Sequence, residues 1–75
     1  MTRYKTVVHA KREVDRNSIR NWRWVDGADD EDVRHRLAVW LFVKNVKLTP
    51  RAVEDFIVEE LKDDPSKYLV QGGVA

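Results

Sequence analysis

Residues 37–43 read Leu-Ala-Val-Trp-Leu-Phe-Val, the longest apolar run in the chain, and the charge on its two sides has opposite sign. Residues 1–25 hold seven Lys/Arg against two Asp/Glu, residues 26–64 hold six against eleven, and one Lys follows at position 67. The run reads as the buried centre of the fold, or in part as an interface, because nothing else in the chain is apolar for so long. The basic and acidic segments must supply its cover. A chain of 75 residues is one small domain, of a size that buries only about 60% of the surface its unfolded chain exposes. With no Cys, neither a disulfide nor a thiolate metal site can staple it, so its stability rests on packing or on association with a second chain. Its 43% apolar and 36% charged content, with three Gly and two Pro, is that of a folded protein and not of a disordered one. The apolar run is far short of the roughly 20 residues a membrane span requires. The charged N-terminal segment lacks the apolar core of a signal peptide, which gives a cytoplasmic location as the expectation.

Residues 3–12 alternate, with Tyr4, Thr6, Val8 and Ala10 on one face and Lys5, Val7, His9 and Lys11 on the other, and read as a strand. Residues 13–18 are polar and turn-like. Residues 19–25 place Trp22 and Trp24 around Arg23 and read as a second strand completing a hairpin; the competing reading is a short helix from Asp15 or Asn17, with Ile19, Trp22 and Val25 spaced by three and closed by Gly27. Gly27-Ala28-Asp29-Asp30-Glu31-Asp32 is a helix start, its carboxylates accepting from first-turn amides and facing the positive end of the dipole. The helix spans 30–46. Val33, Leu37, Trp40 and Leu41 form one apolar stripe on it, and Val39, Phe42, Val43 and Val46 form an adjoining one, so it needs cover on more than one side. Leu48-Thr49-Pro50 restarts the chain, with Thr49 as N-cap, Pro50 at the first helical position and Leu48 closing over Val53. The second helix spans 50–63, presents Val53, Phe56, Ile57 and Leu61, and stops before Pro65. Residues 67–71 read as a short third strand. The expected architecture is α+β: an N-terminal β-hairpin packed on an antiparallel helix pair, with Trp40, Leu37, Leu41, Phe42, Val53, Phe56, Ile57 and Leu61 as the core and Val8 and the Trp22/Trp24 pair over it.

Nothing in this sequence is a catalytic signature. His9 and His35 lie on different elements, and no Ser/His/Asp spacing, phosphate-binding Gly-rich loop or carboxylate pair in an apolar pocket is present. The acids between positions 26 and 32 do not fit a calcium loop, which needs Gly where Glu31 falls, and capping accounts for nearly all of them. The chain is therefore expected to be non-enzymatic, with no cofactor and no metal. A helix-turn-helix comparison around Leu48 fails on Lys47, which stands where Gly is usual, and on the outward acids Glu54 and Asp55.

Two surfaces remain. The acidic second helix, through Glu54, Asp55, Glu59 and Glu60, fits a basic partner, and Trp22 and Trp24 have the character of interface anchors. Asp55 with Glu59 and Glu59 with Asp63 are like-charge pairs four apart, which local helix physics does not favour. This reading makes the chain a small protein-interaction module acting by surface complementarity on another protein or on a second copy of itself. Its size is that of the accessory and inhibitory proteins that phages and mobile elements encode. The alternative is nucleic-acid binding by Arg3, Lys5, Lys11, Arg12, Arg20, Trp22 and Arg23, where cations neutralise phosphates and aromatic faces stack on bases.

Overall fold

A computed structural model describes residues 4–17, 23–25, 27–28 and 30–70, with Arg23 described by its backbone alone. The fold is helical. Its elements are α1 (Val7–Asn17), a two-residue strand β1 (Arg23–Trp24), α2 (Glu31–Lys44), α3 (Pro50–Phe56) running into one π-helical turn (Ile57–Leu61), a 3-10 turn (Pro65–Lys67) and a two-residue strand β2 (Leu69–Val70). α1 and α3 both pack on α2 and neither packs extensively on the other.

The N-terminal hairpin is not formed, and the α+β architecture goes with it. Residues expected as the first strand are α1, because a helical period becomes visible once the count is carried past position 12. Ala10 and Val14 are fully buried with Val7 half-buried beside them, a spacing of three and four that alternation cannot produce. Val8, expected over the core, is 61% exposed. The helix starts at Thr6, whose Oγ1 accepts from the His9 amide at 3.1 Å while its carbonyl accepts from Ala10 at 3.1 Å. Residues 18–22, which contain most of the expected second strand, lie outside the described residues. The one extended pairing among the described residues joins distant segments: Arg23 opposite Val70 and Trp24 opposite Leu69, antiparallel, extended by the Val25 amide donating to the Tyr68 carbonyl. Four residues do not make a sheet layer.

α2 begins at Asp30, whose Oδ1 accepts from the Val33 amide at 2.8 Å, with Glu31 and Asp32 in the first turn. It ends at Asn45 in the left-handed region (φ 57°), where the Asn45 and Val46 amides turn back onto the Leu41 carbonyl. Thr49 caps α3, its Oγ1 accepting from Ala52 at 3.1 Å, and Pro50 follows at the first helical position. Leu48 and Val53 on either side of this cap are both buried. The Leu48 amide donates to the Tyr4 hydroxyl at 3.0 Å, which fastens the N-terminal segment to the α2–α3 turn; burial pushes the Tyr4 phenol above its usual range, against the opposing effect of that donor.

The core lies between the three helices. Leu37 and Leu41 of α2 and Val53, Phe56 and Ile57 of the third helical stretch are fully buried, and Trp40 meets Phe56 edge to face at 6.0 Å between centroids. Ala10, Val14, Ala38, Ala52, Tyr4, Leu48 and Trp24 complete the cluster, while Phe42 and Leu61, expected inside, are only half-buried. The small residues Ala10 and Ala38 let the α1 and α2 backbones approach closely. Phe56→Ala removes the largest fully buried side chain and is expected to cost about 3–5 kcal/mol, a large part of what a domain this small possesses; urea denaturation measures it. Thr49→Ala is expected to cost about 1 kcal/mol through the loss of its cap, read by the same method.

Candidate protein interface

α2 has two apolar stripes and the other helices cover only one. On the covered side lie Leu37, Trp40 and Leu41; on the outer side Val39 is 36% and Val43 71% exposed, one turn apart, with Phe42 and Val46 half-buried beside them. Arg36 stands one turn before Trp40 at the edge of this stripe and Lys47 follows its end, both exposed. Apolar residues scattered singly on a surface carry no message, but two exposed valines one turn apart on one helix face, beside Phe42 and Val46 that pack in part against the core, are the start of a contact surface. The signal was in the sequence, as the adjoining stripe that needed cover.

Between α1 and the start of α2 four charges close a ring. Lys11 Nζ lies 3.0 Å from Asp15 Oδ2 and 2.7 Å from Glu31 Oε1, and Arg34 lies 3.0 Å from Asp15 Oδ1 through Nη1 and 3.1 Å from Glu31 Oε2 through Nη2. Hydrogen bonds from Lys11 to Glu31 and then to Asp15 hold its ammonium above the usual lysine range, outweighing the opposing effect of burial. A raised lysine pKa stabilises the fold fully below the unfolded value and stops doing so as pH rises through the folded one. The contribution of the Lys11 ammonium is therefore present throughout the neutral range and is lost in alkali.

In this ring the ammonium of Lys11, one of the residues proposed for nucleic acid, is held by two carboxylates. Of the other residues proposed for nucleic acid, Lys5 and Arg12 are exposed and make no ion pair among the described residues. Arg3, Arg20 and Trp22 lie outside the described residues, and the Arg23 side chain is not described. Lys5, Arg12 and Arg16, with exposed His9 and Val8, make the outer face of α1 a basic row that the strand reading did not foresee.

Of the two tryptophans proposed as interface anchors, Trp22 lies outside the described residues and Trp24 is 9% exposed and belongs to the core. The acidic residues of the third helical stretch are largely matched within the chain. Asp55 accepts from Arg51 Nε at 3.2 Å, Glu59 meets Lys44 at 3.3 Å, and Asp63 meets Lys67 at 3.2 Å while accepting from the Tyr68 hydroxyl at 3.1 Å. The Asp64 amide, with Lys67 and Tyr68 adding to it, holds the Asp63 carboxyl below the usual aspartate range. Each member of the like-charge pairs thus has its own cation or donor. Glu54, half-buried, and Glu60, exposed, form no ion pair among the described residues and remain available.

The described residues contain no group of three or more His, Cys, Asp or Glu placed to hold a metal. A groove of about 310 Å³ runs over Tyr4, His9, Glu13, Lys47 and Leu48, but its Tyr4 hydroxyl already accepts from Leu48 and the Glu13 carboxylate accepts from Asn17. Among the described residues no helix is long and apolar enough to cross a membrane.

Arg34→Gln breaks two of the four ring contacts and is expected to lower stability by about 0.2–1 kcal/mol per pair, with the loss shrinking as salt screens the half-exposed charges. Urea denaturation at low and high salt measures this, and an equal loss at both salts would show that the guanidinium acts by packing. No protein-family model matches the chain, and neither curated proteins nor solved structures provide a match.

Proposed function

We propose that this protein is a non-enzymatic interaction module that binds another protein by surface complementarity, with the outer stripe of α2 as the contact face. The observation that carries the reading is the exposure of Val39 and Val43 on a helix whose opposite side is the centre of the core. The second half of α2, from Leu37 to Val43, is apolar nearly all round and suits the inside of a larger assembly, and the described residues cover it on one side. Val39 and Val43, with the exposed part of Phe42, offer an apolar centre, and Arg36 offers a cationic rim, the division found in protein interfaces. The rim sets the partner's chemistry: an apolar strip with acidic flanks, such as an amphipathic helix laid along α2. Glu54, Asp55, Glu59 and Glu60 are not the centre of this face, since two of the four are matched by cations of the same chain.

A second reading, nucleic-acid binding, is favoured by the basic row Lys5, His9, Arg12 and Arg16 on α1. It uses a helix face in place of the expected hairpin, and Lys11 is engaged in the ion ring.

Affinity capture with the tagged chain, followed by identification of the captured species, separates the two. The protein reading expects a partner that Val39→Asp with Val43→Asp abolishes, that nuclease treatment leaves in place and that Arg12→Glu with Arg16→Glu retains. Capture that disappears with nuclease and with the arginine variants, and survives the valine variants, would replace it with the nucleic-acid reading.

A further inference from the structure

The outer face of α1 carries cations and no acid between its edges. His9, Arg12 and Arg16 follow one another at spacings of three and four on the side away from the buried Ala10 and Val14, and Lys5 stands just before the Thr6 cap. All four are exposed, and Lys5, Arg12 and Arg16 have no ion pair among the described residues. The acids that flank the face are already engaged: Asp15 holds Lys11 and Arg34, and the half-buried Glu13 accepts from Asn17 at 3.1 Å. Lys47, which lines one groove with His9 and Glu13, is exposed on the same side.

We propose that this face docks on the phosphate backbone of double-stranded DNA. The proposal rests on the nucleic-acid reading above and narrows it, and it does not involve the outer stripe of α2. Cations in a row without an apolar centre suit a regular polyanion. Val8, 61% exposed, is the only exposed apolar residue of α1, too little for the dry centre of a protein contact or for insertion into a lipid surface. A single strand is held by stacking its bases on aromatic faces, and α1 offers none: Tyr4 and Trp24 are buried, and the His9 ring packs edge to face with Tyr4 at 5.3 Å between centroids. Arg12 and Arg16 lie about 6 Å apart along an exposed helix ridge. The major groove of B-DNA is wide enough to admit a helix, whereas that of duplex RNA is too narrow. Contacts to phosphates fix the chain on the duplex without reading its sequence.

The test is fluorescence anisotropy of a short labelled DNA duplex titrated with the whole chain at several salt concentrations. Lys5, Arg12 and Arg16 on three phosphates predict an affinity that falls about 40-fold between about 50 and 200 mM salt, with duplexes of unrelated sequence bound alike. Arg12→Gln and Arg16→Gln are each expected to reduce that fall to about 12-fold, and the two together to about fourfold. Arg12→Lys/Arg16→Lys should retain the original fall, and so should Lys62→Gln, which removes an exposed cation at the C-terminal cap of the π-helical turn. Circular dichroism checks the fold of each variant, and the single variants carry the test if the double one is poorly folded. No binding at low salt overturns the proposal and the nucleic-acid reading with it. A double glutamine variant that keeps the salt dependence of the unaltered chain overturns the assignment to this face. Tighter binding of a single strand, or equal binding of an RNA duplex, overturns the proposal and leaves the nucleic-acid reading standing. Sedimentation with vesicles containing phosphatidylserine that needs Arg12 and Arg16, without binding to DNA, overturns it in favour of a lipid surface.

Discussion

The rest of the structure depends on the burial of one side of α2. Leu37 and Leu41 are fully buried, Trp40 nearly so, and the other helices are placed by the need to cover them. α3 brings Val53, Phe56 and Ile57 to one flank, and α1 brings Ala10 and Val14 to the other. The caps, the turn fastened by Tyr4 and the ion ring matter because a domain this small is only marginally stable.

Electrostatics places the helices relative to one another more than it holds them together. The ring of Lys11, Asp15, Arg34 and Glu31 connects the middle of α1 to the first turns of α2 and fixes how the two cross. The Lys44–Glu59 contact does the same for the far end of α2 and the π-helical turn. Pairs as exposed as these contribute little net energy, and their value is registry.

Two helices were legible in the sequence because their ends are marked by local chemistry. Asp30 before a run of acids and Thr49-Pro50 after a hydrophobic residue are caps whose energetics involve only neighbouring amides. α1 was not legible as a helix because its apolar content is small. Tyr4, Val8, Ala10 and Val14 all fall on alternate positions, and the one apolar residue that breaks the two-residue period, Val7, stands next to Val8. That error moved the basic residues from a hairpin to a helix face and sent Val8 outward. The ring was half visible, since Lys11 with Asp15 and Glu31 with Arg34 are spaced for one helix face, but the contacts between helices join residues 19 and 20 apart and need the fold. The candidate interface was present in the sequence as a second apolar stripe. Which of the two stripes would be left bare depended on where α1 packs, and a strand in that place gives a different answer.

The measurement that tests this account most directly is methyl NMR of the dilute chain with a soluble paramagnetic probe, comparing the valines. Val8, Val39, Val43 and Val58 should be strongly relaxed, and Val14 and Val53 should not. The contrast between Val8 and Val14 is decisive for α1, because six positions apart they share a face in a strand and occupy different faces in a helix. The same spectrum showing Val39 and Val43 as protected as Val53 would mean that α2 is covered on both sides within one chain. The bare face on which the functional reading rests would then not exist.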